Sequence, residues 1–361
     1  MKVYSIITQT SEFALASQNS DGSMPAGHNG PYKDPETPVR NTSHWLVAFL
    51  KSWEITTDQK FRVAAEKCLG YLLSGAARPM GASFWHRSNP KKDFTNGVMG
   101  QAWTLEALEY AFRFFGDDQI LRLAEEVYKL HPYDADHKAW KIVNVDGSIR
   151  GFDVTFNHQL WYAAIGSRLA THGDLDIKCQ AQDFISAIKN NIKMYPDGVI
   201  MHLPTMYLRT TMKKKLGGVV SKIRTTKNQS NAIYMKSVGY HGFNLYALGI
   251  IKEQYPELEF FLSKEFQKMI EVIRTDRFKN QLDNSTYSYD YNPPGFELGF
   301  AQQKFDSENF DEYFLKKDIM KSFDQDAEAW GIKNKFDPAT ASARVYEACQ
   351  LENVAISIDV P

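Results

Sequence analysis

Residues 100–130, GQAWTLEALEYAFRFFGDDQILRLAEEVYKL, have the pattern of two helices joined by a tight turn. The segment 103–115 is apolar on nearly every side, which predicts a buried helix. A Gly-Asp-Asp turn follows at 116–118. Residues 120–130 then place apolar side chains on one face only, as an amphipathic helix does. We therefore expect a helical hairpin with a buried inner helix and a partly exposed outer helix.

This hairpin pattern recurs along the chain, and six segments show its start. Each begins with a polar loop and enters an apolar helix with an aromatic residue near its start. These entry segments are residues 41–45, 99–103, 157–161, 242–246, 295–300 and 342–346. The paired inner and outer helices are expected at 45–55 with 61–73, 103–115 with 120–130, 161–170 with a helix to about 192, 245–252 with 260–273, and 297–305 with 312–323. The pattern predicts an inner ring of buried helices inside an outer ring.

The two ends of the chain supply the helices that close this ring. The sixth inner helix, about residues 339–350, has no following partner, and the first helix, residues 4–18, has no hairpin mate. Pairing them predicts an all-α fold, an (α/α)6 barrel, or toroid of six helical hairpins, with the N-terminal helix against the C-terminal one. Residues 1–361 would form this barrel as one domain. An open helical solenoid is the alternative arrangement.

One segment, residues 195–238, departs from the repeat. A turn signal at 196–198 precedes the apolar run 199–203, which favours a strand. The basic residues that follow are Arg209, Lys213, Lys214, Lys215, Lys222, Arg224 and Lys227. Long loops inside compact domains are usually functional lids or disordered. We expect this basic loop to be a lid, a clamp for an anionic glycan or a solvated mobile segment.

Composition excludes several classes of protein. Lys and Arg number 42 against 43 Asp and Glu, so the formal net charge of -1 attracts no nucleic acid. No apolar run approaches the roughly 20 residues of a membrane span, and the N-terminus lacks a signal-peptide core. The three cysteines have no paired spacing, which is typical of a reducing compartment, so a cytoplasmic location is expected. Phosphate-loop, dinucleotide and zinc motifs are absent, so no cofactor or metal is expected.

The loops that enter the inner helices of a closed ring gather at one end, where their polar side chains converge on a cavity. Aromatic faces stack on sugar C–H surfaces, while carboxylates, amides and imidazoles bond the hydroxyls. The sequence therefore predicts a carbohydrate site, in which Arg40 would suit the carboxylate of an acidic sugar. The expected substrate-binding residues are Arg40, His44, Trp45, Trp85, His86, Gln101, Trp103, Asn157, Trp161, Asn244 and Tyr291.

Four side chains are candidates for the chemistry. Asp153 would act as a general acid or base, or would orient His158, whose charge changes near neutral pH. His241 stands at a matching position one repeat on, so the two imidazoles would flank a bound ring. Glu297 follows a Pro-Pro-Gly turn and completes, with Asp153, the carboxylate pair of glycoside hydrolysis. Helix caps, a first-turn carboxylate and core hydrogen bonds are the structural alternatives.

Two segments carry a family resemblance. Residues 100–105, GQAWTL, and residues 115–117, FGD, resemble the RGQAW segment and tGD turn of unsaturated glucuronyl hydrolases, although Met99 replaces the arginine of that family. The resemblance implies a six-hairpin (α/α)6-barrel fold and a carbohydrate substrate. More distantly, the chain is similar in size and ring closure to N-acylglucosamine 2-epimerases. That family uses histidines as its acid and base, and the resemblance implies that His158 and His241 would have these roles here. Polysaccharide lyases on helical toroids, with a histidine or tyrosine base, are also similar in architecture.

The leading hypothesis is a carbohydrate-active enzyme that cleaves glycosidic bonds in an oligo- or polysaccharide containing acidic sugars. Asp153 and Glu297 would serve as its acid and base. The first alternative is a sugar epimerase or isomerase, or a polysaccharide lyase, with a histidine base. The second is a glycan-binding protein without catalytic activity. The sugar, the linkage and the oligomeric state stay open.

Overall fold

The structure, a computed structural model, describes residues 1–202 and 227–357. In chain order its helices are α1 (Val3–Leu15), α2 (Val39–Thr56), α3 (Gln59–Leu72), α4 (Gly97–Phe115), α5 (Asp118–Leu130), α6 (Phe156–Leu169), α7 (Leu175–Ser186), α8 (Ile188–Asn191), α9 (Lys227–Gly239), α10 (His241–Gln254), α11 (Lys264–Glu271), α12 (Asp276–Asp283), α13 (Pro294–Phe305), α14 (Tyr313–Ser322) and α15 (Pro338–Ala343). A 3-10 helix, Arg344–Gln350, continues α15.

Six inner elements form a closed ring. They are α2, α4, α6, α10, α13 and the final segment made of α15 with its 3-10 continuation, and each packs against the next. The final segment returns to α2, while α1 packs against both of them. The N-terminal amine of Met1 donates to the carbonyl oxygen of Ile356 at 2.7 Å, which joins the two ends of the chain. The predicted (α/α)6 barrel, closed by its N-terminal helix, is confirmed.

Inner and outer helices differ in burial as the sequence pattern predicts. In the inner helix α4, every residue from Gly97 to Ala111 is buried. The outer helix α5 buries only the four residues of one face, Ile120, Ala124, Val127 and Tyr128. Their spacing follows the helical period, so α5 presents one apolar stripe to the ring and the other face to water.

The hairpin turns share a common chemistry. Thr57 and Gly116 end α2 and α4 in left-handed backbone conformations, with φ of 59° and 66°. The next residues, Asp58 and Asp117, accept hydrogen bonds from the backbone N–H groups of the following outer helices. A left-handed residue ends one helix and an aspartate N-caps the next. This pairing explains why the short Gly-Asp-type turns could be read from the sequence.

Two glutamines fix the extended segments that precede their helices. Gln101 accepts from the backbone N–H of Phe84 at 2.9 Å and donates to the Phe84 carbonyl at 3.1 Å. Gln159 makes the same two bonds to Trp140, both at 2.9 Å. The side-chain amide replaces a strand partner for the backbone of each loop. Both loops are thereby held at the end of the ring where α4 and α6 begin.

The structure also departs from the predicted elements. Short strands were not predicted: β1 (Tyr133–Asp134), β2 (Ala139–Val143) and β3 (Ile149–Phe152) form an antiparallel sheet, and β4 (Phe323–Asp324) pairs with β5 (Ala329–Trp330). The expected strand at 199–203 is a single bridge between Met194 and Ile200. The outer helix expected at 260–273 is divided, with α11 flanked by two 3-10 helices.

The basic loop is shorter than the predicted 195–238, because α9 already occupies Lys227–Gly239. Four of the five apolar residues of α9 stand consecutively at 232–235 and the fifth is Val238, so the sequence does not show the spacing of an amphipathic helix. Residues 203–226, with most of the basic cluster, lie outside the described residues. No helix in the described ranges is long and apolar enough to cross a membrane.

Candidate active site

A cavity of about 160 Å³ opens at the end of the ring where the loops enter the inner elements. Each of the six inner elements, or the segment that leads into it, contributes to the lining, and one residue from each is Asn29, Arg87, His158, Lys236, Tyr291 and Arg344. The cavity combines aromatic, amide, imidazole and cationic side chains. The predicted convergence of the entry loops on one site is therefore present in the structure.

The cavity wall contains an oriented histidine. His158 Nδ1 lies 2.8 Å from Asp153 Oδ2, and the His158 side chain is 22% exposed whereas that of Asp153 is 5% exposed. Asp153 also accepts from the backbone N–H groups of Val98 at 3.0 Å and Thr155 at 3.1 Å. Since Asp153 occupies Nδ1, the ring nitrogen left to exchange a proton with a ligand is Nε2. Asp153 thus orients His158, one of the two roles predicted for it.

The start of α4 is shaped to receive this carboxylate. Gly97 has a φ of 62°, and a Cβ at this position would overlap Asp153 Oδ2. Glycine is therefore required both by the backbone conformation and by the close approach. The positive end of the α4 dipole stabilises the Asp153 charge there. These contacts hold the Asp153–His158 pair in one geometry.

Two of the cations at the cavity are neutralised by carboxylates behind them. Arg87 contacts Asp34 at 3.3 Å and Asp93 at 2.5 Å. Lys92 Nζ lies 3.0 Å from the same Asp34, whose side chain is fully buried. These four residues form a network that balances its own charge. Its main effect is to hold the loop between α3 and α4 in place.

Lys236 is different, because no ion pair joins it to any carboxylate among the described residues. Its Nζ lies 5.3 Å, 5.5 Å and 5.8 Å from the ring centroids of Tyr32, Tyr287 and Tyr240. Burial and then the charge of Lys92 lower the pKa of Lys236. An ammonium in this setting is stabilised by an anion that a ligand brings.

No carboxylate is found among the described residues that line the cavity. The lining cations are Arg87, Lys92, Lys236 and Arg344. Arg87, Lys92 and Arg344 have carboxylate partners behind the cavity wall, so Lys236 supplies the charge that has no such partner among the described residues. The cavity therefore favours a ligand that carries negative charge.

Three tyrosines, Tyr32, Tyr240 and Tyr291, line the same cavity as His158. The hydroxyls of Tyr32 and Tyr240 lie 2.8 Å apart, and Tyr291 donates to Asn29 Oδ1 at 2.6 Å. Burial raises the pKa of Tyr32, so its hydroxyl stays protonated.

His202 stacks on Tyr240 with ring centroids 4.8 Å apart. Burial, Lys236 and His158 lower the pKa of His202 to about 3, so this imidazole is neutral at pH 7.

Three of the predicted binding residues line the cavity, in addition to His158, and they are Trp103, Asn157 and Tyr291. Trp103 is 4% exposed and lies against the Arg40 guanidinium, which is 4.1 Å from its ring centroid. Arg40 itself does not line the cavity, and it bonds Asn29 and Glu36 at 2.8 Å and 3.1 Å. Arg40 therefore supports the cavity from behind instead of binding a sugar carboxylate directly.

Four further predicted residues lie in this supporting layer. His44 stacks on Tyr346 at 4.0 Å, and burial keeps its pKa well below the usual value. His86 bonds Thr104 at 3.2 Å, and burial lowers its pKa to about 3. The amide of Gln101 is used by the backbone. Asn244 donates to the carbonyl of Tyr240 at 2.8 Å.

The remaining three tryptophans lie away from this cavity. Trp161 is fully buried, and its indole N–H donates to the Phe243 carbonyl at 3.1 Å. Trp45 stacks on Phe49 at 5.4 Å. Trp85 donates to the Arg87 carbonyl at 2.9 Å. Of the tryptophans expected to line the site, the structure places only Trp103 there.

His241 does not face His158 across the cavity. It is fully buried, its Nδ1 accepts from the backbone N–H of Ile200 at 3.1 Å, and its Nε2 bonds the Met269 carbonyl at 2.9 Å. Both ring nitrogens are therefore engaged, and the predicted catalytic pair of histidines does not form. Its neighbour Tyr240 lines the cavity instead.

His241→Ala is expected to lower the free energy of unfolding by about 2–5 kcal/mol, because two buried backbone groups lose their partner and a cavity forms. Burial lowers the pKa of His241 to about 4. The unfolded chain therefore takes up the proton first, at a pKa near ~6.5. The stability difference from wild type should be full at pH 7 and shrink as the pH falls toward 4, measured by urea unfolding. Loss of activity with unchanged stability would contradict this structural role.

Glu297 is also removed from the cavity. Its Oε1 lies 2.9 Å from Arg344 Nη2, which also contacts Glu347 Oε1 at 2.5 Å, and all three side chains are at most 1% exposed. Burial raises the pKa of Glu297, and the neighbouring Glu347 adds to this shift. The structure thus brings Asp153 and His158 together but does not place Glu297 beside them.

Several cavity residues were not singled out from the sequence, namely Asn29, Tyr32, Lys92, Asn96, His202, Lys236 and Tyr240. Tyr240 directly precedes a predicted residue, and Lys236 lies in the segment assigned to the basic loop. Within residues 1–202 and 227–357, no three His, Cys, Asp or Glu side chains are grouped as a metal site.

Comparison with known proteins identifies both the architecture and one relative. No protein-family model matches the chain. Among solved structures, cellobiose 2-epimerase from Bacillus thermoamylovorans is similar at 13% identity and a TM-score of 0.64, over 94% of this chain and 95% of that one. A D-mannose isomerase is similar at 12% identity and 0.64, over 96% of each. The GH76A α-1,6-mannanase of Salegentibacter sp. HEL1_6 is similar at 11% identity and 0.55, over 96% and 98%.

These likenesses establish the six-hairpin barrel fold that the sequence predicted, shared with epimerase-like and mannanase structures. A much closer match is archaeal glycosylation protein Q of Haloferax volcanii. It is 39% identical over 370 aligned positions, which cover 98% of each chain. At this identity and coverage, the chain belongs to the family of archaeal glycosylation protein Q.

Proposed function

We propose that this protein is a sugar epimerase or isomerase that moves a carbon-bound proton of an acidic sugar, with His158 as the base. One observation carries the proposal: His158 is oriented by Asp153 at 2.8 Å in a cavity whose described lining holds cations and no carboxylate. A histidine base needs no second carboxylate, whereas glycoside hydrolysis usually needs two.

The chemical step follows from this arrangement. Neutral His158 takes a proton through Nε2 from a sugar carbon next to a carbonyl or carboxylate group. The electrons of the broken C–H bond move to the oxygen of that group and give an enediolate. Asp153, which accepts from Nδ1, stabilises the imidazolium that forms. For an epimer, a protonated hydroxyl of Tyr32 or Tyr240 would donate a proton to the opposite face, while His158 keeps the proton it removed, and both groups would then exchange with solvent. For an isomer, His158 would return its proton to the neighbouring carbonyl carbon.

The cations of the cavity have two roles in this proposal. Lys236 and Arg344 would bind the carboxylate of the sugar, and their charges would also stabilise the enediolate. The tyrosine hydroxyls of Tyr32 and Tyr240 are protonated donors on the same cavity. They would hold the sugar hydroxyls or the developing oxyanion.

The known proteins support a sugar substrate. A 2-epimerase and an isomerase share this fold, and the relative of the family is named for glycosylation. A mannanase shares the fold as well, so fold alone does not choose between cleavage and proton transfer. The contacts at the site favour proton transfer, because Asp153 is engaged by three donors and Glu297 is paired with Arg344. The histidine alternative is therefore preferred to glycosidic cleavage.

The test is mass spectrometry of matched uronic and neutral oligosaccharides after incubation with the protein in D₂O. We expect uronic sugars of unchanged chain length to gain carbon-bound deuterium, and the neutral analogues to gain much less. Shorter fragments that carry added water would establish a hydrolase instead. Unsaturated fragments would establish a lyase. Binding of the uronic sugars without any exchange would establish the glycan-binding alternative.

A further inference from the structure

A second cavity, of about 330 Å³, adjoins the first. Tyr291 and Arg344 line both cavities, so these two side chains form the wall between them. The rest of its lining comes from the loop before α13, the end of α14 and the β4–β5 region. None of these residues was predicted to bind a ligand. A ligand long enough to extend past Tyr291 and Arg344 would contact both cavities.

The second cavity is also rich in cations. Lys321, Lys333 and Lys335 line it together with Arg344, against one lining carboxylate, Asp290. Lys333 pairs with Asp324 at 3.0 Å. Lys321 lies 4.7 Å from the centroid of an aromatic ring, and Lys335 has no ion-pair partner in the part of the chain that the structure describes. Lys335 thus lacks a carboxylate partner among the described residues, whereas the charge of Lys321 interacts with the buried carboxyl group of Asp318.

Aromatic side chains complete this cavity. Tyr289, Trp330 and Phe336 line it, and Phe336 is 45% exposed although it is a large apolar residue. The exposed ring of Phe336 beside these cations suits a sugar ring that carries both C–H surfaces and negative charge. An acidic sugar has both properties, whereas a bare inorganic anion would use only the lysines.

We propose that the second cavity binds a further acidic sugar unit of the substrate, so that the protein acts on an acidic oligosaccharide rather than on a free monosaccharide. This inference rests on the proposed function for the identity of the first sugar. The reacting unit occupies the cavity of His158, and the next unit contacts Lys321, Lys335 and Phe336. Arg344 and Tyr291 hold the linkage between the two units.

The experiment compares binding of a monouronide and of oligouronides by isothermal titration calorimetry. Wild-type protein is expected to bind the disaccharide and trisaccharide on the order of tenfold or more tightly than the monosaccharide. Lys321→Gln combined with Lys335→Gln should remove most of this gain and leave monouronide affinity unchanged. Phe336→Ala should do the same through lost stacking. Lys264→Gln, an exposed lysine that lines neither cavity, is the matched control.

The outcomes separate this inference from the proposed function. Equal affinity for mono- and oligouronides, or oligouronide affinity that is unchanged in the variants, would overturn the second cavity as a sugar site. Deuterium exchange on the monouronide would still support the proposed function in that case. Conversely, oligouronide binding that depends on Lys321 and Lys335 but gives no exchange would keep the second cavity and reject the proton transfer.

Discussion

His158→Ala is expected to lower kcat/KM for deuterium exchange on an acidic sugar by about 10²–10⁴, the usual contribution of a positioned general base. The variant removes the only imidazole of the described cavity that pairs with a carboxylate. His202 remains, but burial and nearby positive charge lower its pKa to about 3, which makes it a weak base at neutral pH. The measurement is the initial rate of carbon-bound deuterium incorporation, with circular dichroism as a check on folding.

A matched control is available in the same chain. His137 Nδ1 lies 2.8 Å from Asp134 Oδ1, the same distance as in the Asp153–His158 pair, but its side chain is 48% exposed and lies outside the cavity. His137→Ala should leave the exchange rate within about twofold of wild type. Equal losses in the two histidine variants would contradict the assignment of His158 as the base.

Asp153 has a distinct expected signature because it acts through His158. Asp153→Asn removes the charge that stabilises the imidazolium formed during proton transfer, so kcat for deuterium exchange should decrease while KM changes little. A general structural defect would instead lower the free energy of unfolding and raise KM together with the loss in kcat.

The ring architecture could be predicted from the sequence because it depends on repeated local patterns. Apolar helices, amphipathic helices and Gly-Asp-type turns recur along the chain. They correspond to the buried inner helix, the half-exposed outer helix and the tight turn that a helical hairpin needs. Closure was predictable as well, since helix α1 and the final segment each lacked a partner. The convergence of loops on one cavity then follows from the topology alone.

The orientation of single side chains was less predictable. Tyr240 lines the cavity, whereas His241 is buried with both nitrogens bonded, although the two are adjacent. Successive residues of a helix point in directions about 100° apart. An error of one position in the predicted alignment of the repeats therefore selects a core residue instead of a cavity residue. Repeat position therefore identified the right loop but not the right residue in it.

Closeness in sequence explains why the contact between Asp153 and His158 could be predicted. The two residues are five positions apart across the start of α6, and a loop of this length brings them together. The buried position of Glu297 could not be predicted, because Arg344 and Glu347, with which it forms a buried ion triad, lie about 50 residues away. No sequence pattern predicts such a triad. Lys236 was missed because α9 lacks helical periodicity in its apolar residues.

Arg344→Met is expected to lower the free energy of unfolding by about 3–5 kcal/mol, the cost of leaving buried charges without their partner. Glu297 and Glu347 both contact this guanidinium, and all three side chains are at most 1% exposed. Urea unfolding at pH 8 measures the loss. Arg62→Met is the control, because the Arg62–Glu66 pair, at 2.9 Å, is exposed and should contribute less than about 1 kcal/mol.

The pH dependence of this loss identifies its cause. Burial raises the pKa of Glu347 to about 7 even with Arg344 present, and removal of the cation would raise it further. In the unfolded chain the same carboxyl group titrates near ~4.3. At a pH where the unfolded chain carries this carboxyl group in its ionised form, the folded state is destabilised because it resists that ionisation. The loss of stability in Arg344→Met should therefore be largest at pH 8. It should shrink toward pH 5, where the group is protonated in the folded state. Adding Glu297→Gln should restore part of the stability at pH 8. A pH-independent loss, unrelieved by Glu297→Gln, would show that Arg344 stabilises the barrel through its packing rather than through its charge.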